Sequence, residues 1–271
     1  MFEIGYFINV KEKTMKKLIV ASVLALTTLA GLATSPKVQA RSTTKSAKVS
    51  FKQYKINKKY KNGVKAKFSY NLPQLKGKSA AIKKINKDLK KIYSSEKKDS
   101  KTVFYCAKQY DSKQAGAIKD TCYDLTKTSV SYNKNGIISF KVDHNWWAGA
   151  QDKNKKIPYH VIGGLTYSLK NGKRLSIADI AKGSKSSVRK QLIAGATKKF
   201  KIKKSETIYF DMLGGKVPGT NTFYDVRLNY YLKGGKVYLY PNIIEPLNYE
   251  FTHHNPPIYY NSHFTIPSRY K

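Results

Sequence analysis

Residues 64–93 read VKAKFSYNLPQLKGKSAAIKKINKDLKKIY. Val64 to Tyr70 carries strand signals, Pro73 breaks that pattern, and from Ser79 the apolar residues adopt helical spacing. Ile82, Ile85, Leu89 and Ile92 fall on one stripe of a helix over Ser79 to Tyr93, while Lys83, Lys84, Lys87, Lys90 and Lys91 cover the rest. The stretch therefore places a strand and an amphipathic helix in one unit, and the segments around it decide the class. Upstream, Val49 to Ile56 is a further strand. Downstream, Thr102 to Lys108 and Thr121 to Tyr132 read as strands, Asn133-Lys134-Asn135-Gly136 turns into Ile137 to His144, and another strand spans about Tyr159 to Leu169. Lys170-Asn171-Gly172-Lys173 is the strongest turn signal. A second helix, about Ser186 to Phe200, lines up Val188, Leu192, Ala196 and Phe200. Thr222 to Leu232 alternates and turns through Lys233-Gly234-Gly235-Lys236 into Val237 to Tyr240, a hairpin, and His263 to Ile266 is a last short strand. Strands joined by tight turns and interrupted by two amphipathic helices indicate an α+β fold with largely antiparallel β-sheets.

The chain opens with an export signal. Met15-Lys16-Lys17 is a basic start, Leu18 to Ala33 is an apolar run short for a membrane span, and Val38-Gln39-Ala40 supplies the small residues for cleavage near Ala40. The protein is expected to be secreted or cell-wall associated, with residues 1–14 an upstream extension and no transmembrane segment left after cleavage. Residues 41–48, RSTTKSAK, read as a flexible basic linker. The net charge of the chain is +36; residues 1–40 hold five lysines and two glutamates, so +33 remains beyond them. Such a field attracts polyanions and weakens with salt. The arginines are few, Arg41, Arg174, Arg189, Arg227 and Arg269. Lysine acts as a hydrated point charge where arginine reads phosphate or guanine through two donors, so diffuse attraction is favoured over base recognition. In an exported protein the available polyanions are teichoic acid, anionic lipid head groups and extracellular nucleic acid, the last bound only non-specifically. The lysines of the first helix are the candidate polyanion contacts, with a plain solvated face as the competing reading.

Cys106 and Cys122 are the only cysteines, and in an exported chain they are expected to form one disulfide, worth about 3 kcal/mol in the chain-entropy picture. Of the five histidines, none sits in an H-E-x-x-H pattern, no G-x-S-x-G turn is present, and no carboxylate pair is marked by spacing. No metal, no cofactor and no catalytic residue is expected. The stretch DHNWWAGAQD, residues 143–152, holds both tryptophans. Along the strand, Ile138, Phe140, Val142, His144 and Trp146 share one face and Trp147 takes the other. Trp146 then reads as core, and Trp147 as packing under a loop or as an exposed platform for a sugar ring. His144, with Tyr249, His253 and His254 of the Pro-rich tail, completes the candidate ligand contacts.

Three groups of residues resemble a known domain pair. Phe68 to Asp88 is similar to the opening strand, Pro-containing turn and helix of a domain of unknown function in Gram-positive exported proteins. Ala148-Gly149-Ala150-Gln151 and Leu165 to Ile180 are similar to the domain that follows it, and Tyr240-Pro241 with Ile243 to Pro246 to its close. Gln151 stands where that family usually carries a turn histidine. The pair occurs in the extracellular part of lysozyme-sensing anti-sigma factors and ahead of the catalytic domain of a peptidoglycan deacetylase. The resemblance implies an N-terminal α+β part over 49–132 and a C-terminal domain over 133–271. It also implies recognition of a lysozyme-like protein, while the aromatic residues themselves suit peptidoglycan glycan. The leading expectation is an exported, non-catalytic envelope-binding module; lysozyme recognition and, less favoured, a cell-wall-active enzyme are the alternatives.

Overall fold

The structure is a computed structural model that describes residues 46–110, 121–148, 159–200, 228–241 and 262–271. Residues 1–40, most of the 41–48 linker, and the candidate contacts Tyr249, His253 and His254 lie outside these.

Five strands form the first sheet in sequence order: β1 (Val49–Lys59), β2 (Lys65–Leu75), β3 (Thr121–Lys134), β4 (Ile137–Trp147) and β5 (Tyr159–Ser168). Every pairing is antiparallel except β2 with β3, which are parallel and joined through two helices, α1 (Ala80–Asp99) and α2 (Lys101–Gln109). A parallel neighbour demands a crossover, and these helices supply it. They cover one face of the sheet, where Ile85, Leu89 and Tyr93 of α1 pack on Phe68, Tyr70, Leu72, Phe140, Leu165 and Tyr167. A second sheet, β6 (Leu228–Lys233), β7 (Lys236–Pro241) and β8 (Phe264–Pro267), is antiparallel. Its core residues Leu232, Val237, Leu239, Phe264 and Ile266 meet the short helix α3 (Ile177–Ile180) and the buried stripe Val188, Leu192 and Ala196 of α4 (Lys185–Phe200). The α+β class with mostly antiparallel sheets is thus what the chain adopts. The first sheet takes strands from both sides of residue 133. No described helix is long and apolar enough to cross a membrane.

Local chemistry explains several boundaries. Asn135 and Gly136 both have positive φ, the geometry of the tightest hairpin turn, which links β3 to β4. Pro73 does not end β2; the strand continues to Leu75, with Pro73 opposite Phe51. The parallel ladder to β3 stops at Tyr70 and Thr126, so beyond it β2 is paired along one side only and a missing N–H is tolerated. Just past that point the Asn71 amide donates to the Thr128 carbonyl (2.7 Å) and accepts from the Thr128 N–H, so a side chain carries the ladder one step further. Asn86 of α1 clamps Leu75 in the same two-way fashion, at 2.9 Å in each direction, and fixes the helix on the strand end.

Two expectations are corrected. Thr102 to Lys108 is not a strand: it lies in α2, whose Val103 and Ala107, one turn apart, are fully buried. The cysteines therefore do not bond as expected. Cys122, on β3, packs in a small core with Val64, Ala66, Val103 and Ala107, and Cys106 is carried to the flank of α2 outside that core. Cys122 is buried and Cys106 only half-buried, and no disulfide joins them. Burial also pushes the Cys106 thiol up, which slows its oxidation. Unfolding in a blocking reagent without reductant should therefore label two thiols per chain, and adding reductant should leave the melting temperature unchanged. A mass showing no label on either cysteine would contradict this packing.

Candidate functional site

Strand β4 carries a different cluster on each face near its end. The face under the helices holds His144, whose Nε2 lies 3.0 Å from Asp124 Oδ1 of β3. Asp124 is 2% exposed, flanked in the sheet by Phe68 and Trp146. His144 has Thr126 as its register partner, and Thr126 in turn pairs with Tyr70. The third member comes from the last turns of α1. That helix runs two turns beyond Tyr93, and Glu96 continues the buried series Ile85, Leu89, Tyr93 toward the sheet. Ligand atoms of Glu96, Asp124 and His144 all lie within 4.8 Å of one another. The group has a charged, partly desolvated character. Burial raises the Glu96 carboxyl, helped by Asp124 and Asp99 and opposed by His144. For His144 burial is the largest single influence and would lower its pKa. The Asp124 hydrogen bond and the charges of Glu96, Asp124 and Asp143 together outweigh it, so the net shift is upward.

The opposite face of β4 presents Lys141, Asp143 and Asn145. His160 of β5 stands 2.8 Å from Asp143 Oδ1, Asn145 donates to the same oxygen at 3.0 Å, and Lys141 lies 3.6 Å from Oδ2. This cluster is about one-third exposed. Beside it the second sheet raises an aromatic wall: Tyr231 stacks on Tyr238 and Tyr240, and His263 stacks on Tyr240 with ring centroids 5.0 Å apart. Tyr240 feels the Asp143 charge and His263 feels Lys141, which sets the two groups side by side. Tyr231 and Tyr240 are buried, Tyr238 is half-buried and His263 is exposed.

The candidate residues are distributed as follows. His144 lies on the helix-covered face with Trp146, which is partly buried against the Cys122 core. Trp147 takes the other face, as the alternation requires, but is 5% exposed and offers no open platform. Lys83, Lys84, Lys87, Lys90 and Lys91 are all exposed along α1. Asp124, Glu96, Asp143 and His160 were not among the expected contacts. A signal for two of them existed: Asp124 occupies an inward position in a strand, and Glu96 occupies the next position of an apolar helical stripe.

Gly163 and Gly164 lie in an unbroken ladder, opposite Val142 and Lys141. The second sheet explains Gly164, because a side chain there would collide with β6.

No protein-family model matches the chain, and no curated protein matches it. Among solved structures, the chain is similar to a DUF3298 family member from Bacteroides fragilis at 14% identity and a TM-score of 0.43, over 80% of this chain and 97% of that one. It is also similar to a DUF3298 family protein from Pseudomonas aeruginosa at 8% identity and a TM-score of 0.43, over 82% and 89%.

Proposed function

We propose that the protein is an exported, non-catalytic module held on the cell envelope by lysine attraction to wall polyanions such as teichoic acid. On this reading the polar and aromatic cluster around Asp143, His160 and His263 receives a glycan or protein ligand. The observation that carries the reading is the placement of the lysines. Lys83, Lys84, Lys87, Lys90 and Lys91 stand exposed on α1. On the far face of the sheet Lys55, Lys59, Lys65 and Lys67 are exposed on β1 and β2, with Lys59 directly opposite Lys65. Like charges opposed across a ladder cost stability. A bound polyanion removes that cost, so two lysine surfaces on opposite sides suit a protein embedded in an anionic polymer. The same field repels a basic muramidase, which ranks lysozyme recognition second.

Retention on isolated walls should be strong at low salt and collapse as the screening length falls to roughly 10 Å near 0.1 M and below. It should also drop sharply on walls stripped of teichoic acid. Replacing Lys55, Lys59, Lys65 and Lys67 together by serine should move the half-retention point to lower salt, with little change in melting temperature, because all four are exposed. Retention indifferent to both salt and teichoic acid rules the reading out.

A further inference from the structure

We propose that Glu96, Asp124 and His144, with the Thr126 hydroxyl, form a binding site for one divalent transition-metal cation, Zn²⁺ in the first instance. The donor set is one imidazole nitrogen and two carboxylates on three separate elements, α1, β3 and β4. That combination fits zinc, whereas magnesium prefers an all-oxygen shell. Zinc ligands lie at about 2.0–2.2 Å from the ion, which puts neighbouring donors roughly 3.3 Å apart. Asp124 and His144 already meet that spacing at 3.0 Å. Glu96, somewhat farther off, is only partly buried and makes no side-chain hydrogen bond among the described residues, so rotation of one side chain closes the set.

Thr126 supplies an independent reason to look for a ligand here. It is 5% exposed, sits on the face shared with Asp124, is the register partner of His144, and its Oγ1 has no hydrogen-bond partner among the described residues. A buried hydroxyl without a partner calls for an ion or a water. Two carboxylates match a divalent charge, so the occupied cluster brings no net charge into the sheet. The proposal stands apart from envelope binding: the site lies under the helices, away from the exposed lysines and from the Asp143 cluster.

The test is calorimetric titration of the chelator-treated full chain with ZnCl₂ at fixed pH, alongside Glu96→Gln and Thr126→Val, with thermal melting of each protein. The expected result is one zinc per chain in the wild type, a rise in melting temperature on zinc addition, and at least about a tenfold loss of affinity in Glu96→Gln. Thr126→Val should weaken zinc binding while leaving the metal-free protein at least as stable, since it removes a buried hydroxyl. Zinc bound equally by wild type and Glu96→Gln would locate binding at other histidines or cysteines and overturn the proposal, as would the absence of binding. Because Glu96 is partly exposed and makes no hydrogen bond, its variant should fold. Loss of wall retention has no bearing on this result.

Discussion

Replacing Asp124 by alanine should lower the unfolding free energy by about 3–5 kcal/mol, the usual effect of removing one partner from a buried ion pair. His144 would keep its place under the helices and lose the carboxylate 3.0 Å away, with Phe68 and Trp146 closing on either side of the gap. The chain contains its own control. Asp143 is also paired with a histidine, at 2.8 Å, but both partners are about one-third exposed on the other face of the sheet. Water replaces the lost partner there, so Asp143→Ala should cost less than about 1 kcal/mol. Urea unfolding of the two variants beside wild type decides the matter: equal losses, or a loss under about 1 kcal/mol for Asp124→Ala, would show that the buried pair contributes no more than the surface one. The pair also sets a pH signature in chelator-containing buffer. The folded His144 titrates above its usual 6.5, so its stabilisation is complete below that pH and fades as pH rises through the folded value. Glu96, raised above 4.5, acts in the same direction, complete below 4.5 and fading as pH rises through its own folded value. Removing Asp124 should flatten this decline.

Substituting Gly164 should be comparably damaging for a steric reason. A Cβ at that position would lie 2.3 Å from the Tyr230 carbonyl oxygen, 2.6 Å from Tyr231 Cβ and 2.8 Å from the Phe140 carbonyl oxygen. Two of these are backbone atoms, which cannot rotate away, so the second sheet must retreat from the first and loosen Ile162, Tyr231 and Tyr240 between them. We expect Gly164→Ala to cost about 3 kcal/mol or more. Gly163→Ala, where the nearest atom is an Asn229 side-chain carbon at 3.4 Å, should cost far less. Melting temperatures that fall equally for the two variants would contradict this account of the sheet contact. The fluorescence of the tyrosine cluster offers a second measurement, which only the Gly164 change should disturb.

Both predictions concern residues that spacing alone did not single out. The amphipathic stripes of α1 and α4, the Asn135-Gly136 and Gly234-Gly235 turns and the β6–β7 hairpin were legible because each is encoded by neighbours in the chain. The misreading at Thr102 to Lys108 shows where that logic fails. Val103 and Ala107 satisfy a helical stripe only weakly, and the β-branched and aromatic residues Thr102, Val103, Phe104 and Tyr105 favour a strand. The parallel pairing of β2 with β3 settles the matter, because it requires a crossover above the sheet. The disulfide expectation, drawn from export and the cysteine count, failed because neither consideration fixes how far apart two thiols lie in the fold.

The class of the fold, the alternation that sends His144 and Trp147 to opposite faces, and the charge were all legible in the order of residues. These follow from periodicities of 2 and 3.6 residues and from composition, which need no knowledge of partners. That Glu96 meets Asp124 and His144, that the cysteines stay apart, and that Gly164 admits a second sheet emerges from packing alone. Those contacts join residues remote along the chain, and the distance between them is set by how helices and sheets stack.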